Sequence, residues 1–474
     1  MTSSLLRPLP FALLALAGTA GFIACETSTD APPSPDSGVS LEAGDFDSNM
    51  QNEVPCADTT GTTPVAHGND VVTDETWGAG LHDVTFDIGV RKGATLTLAP
   101  CAVVRVIKDR GIAIGTSIEG DGGKLVAVGT AVRPIVITTA TPGERWNHVL
   151  VNSLGTADLA YVALVGGGGT YSRGGGALHL YGDQYKPIQA LAKVVHVTIS
   201  GAGKYGAVLE GRGAFSADSS ELAVSGAGDM ALKVNGPAIG TVPTGLYTGN
   251  TIDAIRLMGS GSYDIIDADV TIHDRGVPYV VGGDGAFNEM SVQGPDGTQP
   301  LLTIEPGVTL KFGKATSGLF IDRAMTTVAA RGALSAIGTN AKPITFTSNE
   351  ALPAAGDWTG IHFRGVPSAK NKIDYARVEY AGADTGTTGF SCGTPPSSNQ
   401  LSNEAAIAIF GQPSSAFVTN TVISKSAANG FERAWTGTEV DFTPTNTFTD
   451  VAYCTQTQPK PAVGSCPATP SCPK

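Results

Sequence analysis

One module occurs twice in this chain, in the same internal order, and that duplication limits the fold more than any other feature. LTLAPCAVV from Leu96 pairs with LTIEPGVTL from Leu302, and KLVAVGTAVRPIVIT from Lys124 with ALSAIGTNAKPITFT from Ala333. GERWNHVLV from Gly143 answers GDWTGIHF from Gly356, LAYVALVGGG from Leu159 answers IDYARVEYAG from Ile373, and GALHLYG from Gly176 answers AAIAIFG from Ala405. The register between the copies drifts only slowly, from Pro100 and Pro306 to Trp146 and Trp358. Internal repeats of this length point to stacked units that bury their apolar faces against one another. With 474 residues, the chain is also too long for one ordinary globular core unless the fold is elongated.

Within each copy the pattern is one of very short alternating strands, among them Leu96-Thr97-Leu98, Ile135-Val136-Ile137, Leu178-His179-Leu180 and Leu232-Lys233-Val234. Alternation over three to five residues sends one side chain in and the next out. Clusters of Gly, Asn, Asp and Ser separate the strands, as turns require. The 61 glycines and only 15% charged residues fit an all-β chain rich in turns. These features predict a parallel β-solenoid. A pair of β-sandwich domains is the competing fold. It ranks second because hairpin Asn-Gly dipeptides are sparse, occurring only at Asn235-Gly236 and Asn429-Gly430.

The N-terminal region reads as an address. Arg7 supplies a short positive segment, and Pro10 through Phe22 form an apolar stretch too short to span a bilayer. Phe22-Ile23-Ala24-Cys25 resembles a bacterial lipobox, which implies lipidation at Cys25 and, with Glu26 next, an outer-membrane or cell-surface location. Glu26 to Glu53 holds seven acidic residues, no Lys or Arg, and the run Ala31-Pro32-Pro33-Ser34-Pro35, the composition of a solvated tether. The expected organisation is a signal peptide over 1–24, a tether over 25–55, modules over 56–250 and 251–455, and a Pro/Cys-rich tail over 456–474. The net charge of −13 argues against nucleic acid as a partner, leaving the membrane reached through the lipid, polysaccharide, or another surface protein.

Setting Cys25 aside, six cysteines remain: Cys56, Cys101, Cys392, Cys454, Cys466 and Cys472. An even set in an exported chain predicts disulfides, with fifteen connectivities open. Position favours Cys56–Cys101 as a staple at the start of the first module, Cys392–Cys454 across the second, and Cys466–Cys472 in the tail. No Cys/His spacing suits zinc.

LTIEPGVTLKFG, ALSAIGTNAKPITFTS, GDWTGIHF and IDYARVEYAG together resemble the right-handed parallel β-helix repeat proteins found as surface lipoproteins of Gram-negative bacteria. The resemblance covers about Val71 to Cys454 and is clearer in the second copy. In the first, Cys101 stands where a glycine is expected, and Arg145-Trp146-Asn147 replaces Asp-Trp-Gly. It implies a fold and a surface location. Polysaccharide lyases and hydrolases share the broader fold, which by itself licenses no activity.

Enzymes of that fold need carboxylates and cations clustered on one strand face. The nearest sequence candidate is Asp264, Asp267 and Asp269, followed by Asp274 and Arg275; the three aspartates could hold a calcium ion through oxygen ligands, against a plain reading as a solvated turn. Trp146 and Trp358 could stack on sugar rings, against packing at a coil corner, and Tyr161 and Tyr375 read as structural in the same way. His148 and His362 follow the repeated tryptophans at unequal distances, which disfavours a shared catalytic role. No catalytic residues and no firm cofactor emerge. The expected function is a non-enzymatic surface protein for adhesion, polysaccharide binding or envelope scaffolding, with an extracellular polysaccharide lyase or hydrolase as the alternative.

Overall fold

The computed structural model describes residues 53–170, 172–183, 190–258, 265–282, 289–314, 317–325, 328–386, 390–392 and 404–473. From Glu53 onward the chain forms one compact unit, including residues 53–55, expected to belong to the tether, and the tail from 456.

Each turn of the chain lays down three short strands. Thr95–Leu98, Ala102–Val106 and Ile112–Ile114 form one rung, and Gly123–Val128, Ile135–Thr139 and Val149–Asn152 form the next. Successive rungs pair in parallel, so Leu96 lies beside Leu125 and Val104 beside Ile137. Alternation then sorts the faces: Leu96 and Leu98 are buried while Thr95 and Thr97 are partly exposed. The inward residues join into one apolar core that runs from Val71 to Phe442. This is a parallel β-helix, and the β-sandwich alternative is excluded because, among the described strands, every pairing is parallel and no two strands adjacent in sequence pair with each other.

Corners between strands force unusual backbone. Cys101 and Gly307, the residues that differ between the copies, share the left-handed region with φ of 72° and 93°. Glycine adopts it freely, whereas a cysteine there is held against about 1–3 kcal/mol of strain. Tyr161 and Tyr375 are likewise equivalent corner residues, at φ 51° and 47°.

The copies use the sheets differently. Among the described residues there are two 13-stranded sheets and two 5-stranded sheets. In the first copy, first and second strands form the two arms of an N-terminal sheet, joined through the ten-residue strand Leu191–Ser200. Third strands, such as Val149–Asn152, Gly176–Tyr181 and Ile252–Leu257, enter the other 13-stranded sheet, here called the long sheet. In the second copy the second strands, Tyr279–Val281, Thr309–Phe312, Ile344–Ser348 and Ala376–Glu379, continue that long sheet. First strands such as Leu301–Ile304 and third strands such as Gly360–Phe363 form the two 5-stranded sheets. The handover occurs where Ile255 pairs with Tyr279 and Leu257 with Val281. The two modules therefore stack as one solenoid with a seam, stepped round by one strand.

Polar groups, part-buried and buried, fasten the seam. Arg275 donates from Nε and Nη2 to the Val242 carbonyl at 3.0 and 2.7 Å. Tyr247 and Tyr279 donate their hydroxyls to the Pro243 and His273 carbonyls, each at 2.7 Å. Burial pushes both phenols upward, so they remain neutral donors.

At the N-terminal end Cys56 and Cys101 are bridged as expected. The two C-terminal pairings differ from expectation: Cys392 joins Cys466, and Cys454 joins Cys472. The reason is that the tail is part of the fold. Gln456 bridges Phe431 in parallel and Gln458 bridges Cys392 in antiparallel fashion, which adds a partial rung. The chain then doubles back until Thr455 N–H donates to the Pro473 carbonyl. Tail cysteines thus face rung cysteines rather than each other.

Candidate functional site

In a stack of parallel strands, one outward position recurs once per rung at intervals of about 4.8 Å. On the long sheet this produces a row of Leu150, His179, Val208, Lys233, Arg256, Val280 and Lys311. Three of these carry a positive charge and a fourth is a histidine, in a chain of net charge −13. Val280 and Lys311 lie beyond the seam, so both copies contribute. Asn152, Tyr181 and Glu210 form a parallel row beside it.

Apolar side chains lie between and beside the charged groups of the row. Tyr205, Val208, Met230, Ala254 and Val280 form an apolar cluster separate from the main core, and the Lys204 ammonium sits 5.1 Å over the Tyr205 ring. Apolar surroundings of this kind strengthen the field of nearby charges by lowering the local dielectric. Arg256 is nearly buried, donates from Nη1 to the Gly282 carbonyl, and has Asp229 4.0 Å from Nη2. Its Nε has no acceptor among the described residues. Lys233 and Lys311 are half-buried. At the N-terminal end of the row a groove of about 660 Å³ opens among Asp87, Lys108, Asp109, Arg110, Asn147 and His148.

His179 pairs with Glu210 of the adjoining row, at 3.3 Å between Nε2 and Oε2. The His148 ring meets His179 edge-on at 6.2 Å. His179 has no exposed surface, so in this conformation a bound molecule reaches Glu210 but not the imidazole. The arrangement suits holding an anionic chain along the sheet better than moving a proton on it.

The sequence candidates are placed as follows. Trp146 and Trp358 are both fully buried, which overturns the sugar-stacking role. Their indole N–H groups donate inward to the Val165 and Glu379 carbonyls at 2.7 and 2.8 Å, and Trp358 stacks on Phe312 at 4.2 Å. Asp267 is bound by Arg212, with contacts of 3.3 and 2.9 Å, whereas Asp269 accepts the Leu301 N–H at 2.8 Å. Asp264 and Cys25 lie outside the described residues. Asp274 sits 3.5 Å from Lys342. Among the described residues no group of three or more His, Cys, Asp or Glu side chains converges as a cation site. His362 is fully buried against Phe320, and burial, then Arg364, holds its pKa down at about 3.

Sequence reading missed the cationic row. Its signal is a lone cation at the middle of a short alternating strand, as in Leu232-Lys233-Val234, repeated in other rungs. Recognising the row requires knowing which strands stack, and the variable turns hide that register.

A second buried group also went unnoticed. Glu432, in the strand Asn429–Arg433, has neither carboxylate oxygen in hydrogen-bonding geometry, with the Ser391 and Thr457 hydroxyls nearby. Burial pushes its pKa up to about 8.

A family model described as a pectate-lyase-like β-helix domain matches residues 296–390, inside the second copy. No curated protein and no solved structure matches the chain. The matched segment holds the same three-strand rungs that the rest of the solenoid repeats. The chain is a right-handed parallel β-helix repeat protein.

Proposed function

We propose that this β-helix protein is a non-enzymatic, exported surface protein, lipid-anchored at Cys25, whose long sheet binds acidic polysaccharide. The observation that carries the reading is the row of Lys233, Arg256 and Lys311 on one continuous sheet. A carboxylated glycan presents charges at regular intervals along an extended chain, and a solenoid presents cations in the same manner. Burial of His179, which pairs with Glu210, favours binding over catalysis. Lyase action on the same face is the second reading, favoured by the pectate-lyase-like family match.

The test is binding of the purified chain to a polyuronate and to a neutral glucan at low and high salt, with unsaturated product followed by absorbance. Preference for the polyuronate, weakened by salt and without product, is expected. Lys233→Gln and Lys311→Gln should each weaken binding roughly fivefold, about 1 kcal/mol. Equal binding of neutral glucan, or none of either, would remove the reading. Unsaturated product would replace it with the lyase.

A further inference from the structure

The N-terminal sheet has an outward row of its own, on the second strands of the first copy. It runs Leu81, Val103, Val136, Ala163, Thr198, Ala223 and Leu246, one residue per rung. All but Thr198 are aliphatic; Leu246 is 69% exposed, and Val128, Val132 and Val165 add exposed apolar surface in neighbouring strands and turns. Charges near the row are paired, Asp83 by a two-pronged contact with Arg105 and Asp218 by Lys193 at 2.9 Å.

The duplication supplies an internal control. In the second copy the equivalent row is Thr309, Thr345, Arg377, Val422 and Thr447. Position by position, Val103 answers Thr309, Val136 answers Thr345, Ala163 answers Arg377 and Val165 answers Glu379. The rung therefore accepts polar residues at these outward sites without losing its fold. Aliphatic side chains there serve something other than the solenoid's own packing.

We propose that this face of the first copy docks against the same face of a second copy of the chain. A straight row of aliphatic side chains is complementary to itself under a two-fold axis, and flat sheets pack face to face about 10 Å apart. Seven rungs by the length of one short strand make a footprint of about 30 by 15 Å, so that two copies bury roughly 900 Å², the size of a weak, reversible interface. The row has no aromatic ring to stack on a sugar and no Trp, Lys or Arg belt to seat in a bilayer. The polar row of the second copy confines the contact to the N-terminal half.

Sedimentation velocity on the full chain, with Cys25→Ser to prevent lipidation, tests this. A monomer–dimer equilibrium in the range of about 10–100 µM is expected. Val103→Asp with Val136→Asp should weaken it at least ~10-fold, whereas Thr309→Asp with Thr345→Asp should leave it unchanged. Val103→Thr with Val136→Thr, which borrows the second copy's residues and so preserves the rung, should also weaken it. A chain monomeric up to ~200 µM, or a dimer that survives all the Val103 and Val136 variants, would overturn the proposal. So would Val136-dependent binding to phosphatidylcholine vesicles by a monomeric chain, which would assign the face to a membrane.

Discussion

The two copies share a sequence pattern and a rung, yet differ in which sheets their strands join and in what they show to solvent. First-copy second strands lie in the N-terminal sheet with an aliphatic outer row, and second-copy second strands lie in the long sheet with a polar one. The inward positions hardly change: Val104 answers Leu310, Ile137 answers Phe346 and Leu164 answers Val378, all buried. The difference shows that the module specifies the coil through its inward residues and corners. Outward residues remain free to diverge, and with them the surface each half presents.

The largest test of that equivalence is the pair of tryptophans. Trp146→Ala and Trp358→Ala should each cost about 3–5 kcal/mol, because both rings are buried and both N–H groups donate inward. One denaturant transition, shifted alike by either variant, is expected of a core that is continuous across the seam. Two transitions, each moved by only one variant, would break the comparison and show that the halves unfold separately.

The disulfides sharpen the contrast between the ends. Replacing Cys392 and Cys466 by serine should cost about 2–4 kcal/mol and open the tail to limited proteolysis. At the other end, Cys56→Ser with Cys101→Gly should cost less. The glycine restores the residue found at Gly307 and relieves the backbone at φ 72°, which offsets part of the lost staple. Equal losses at the two ends would argue that the Cys101 corner holds no strain.

A further effect depends on pH and involves Glu432 in the second half. The Glu432 pKa is raised from an ordinary 4.5 to about 8, so its neutral form is the one the fold accommodates. Its contribution to stability is complete below about pH 4.5 and is lost as pH rises through 8. Glu432→Gln, with no charge to bury, should flatten the decline of melting temperature between those limits. A variant that declines as steeply as the parent would locate the pH dependence elsewhere.

Much of the architecture was legible before any coordinates. The duplication, the three-residue alternation, the corner tyrosines and the N-terminal staple all rest on local sequence, because a rung is built from neighbours in the chain. The site was much less legible. Asp267 and Asp269 looked like a pair two residues apart, yet Arg212 and the Leu301 amide draw them to separate partners, from rungs that the spacing does not reveal.

By itself the sequence determined the coil, because strand, turn and inward pattern recur within a few tens of residues. Tertiary structure alone decided how rungs stack. The step at the seam aligns third strands of one copy with second strands of the other, so Arg256 and Lys311 share a row. It also turned both tryptophans inward and joined the tail cysteines to the last rungs. The physical reason is the same in each case: side chains that meet across rungs are set by how much chain each turn consumes, and the turns vary in length.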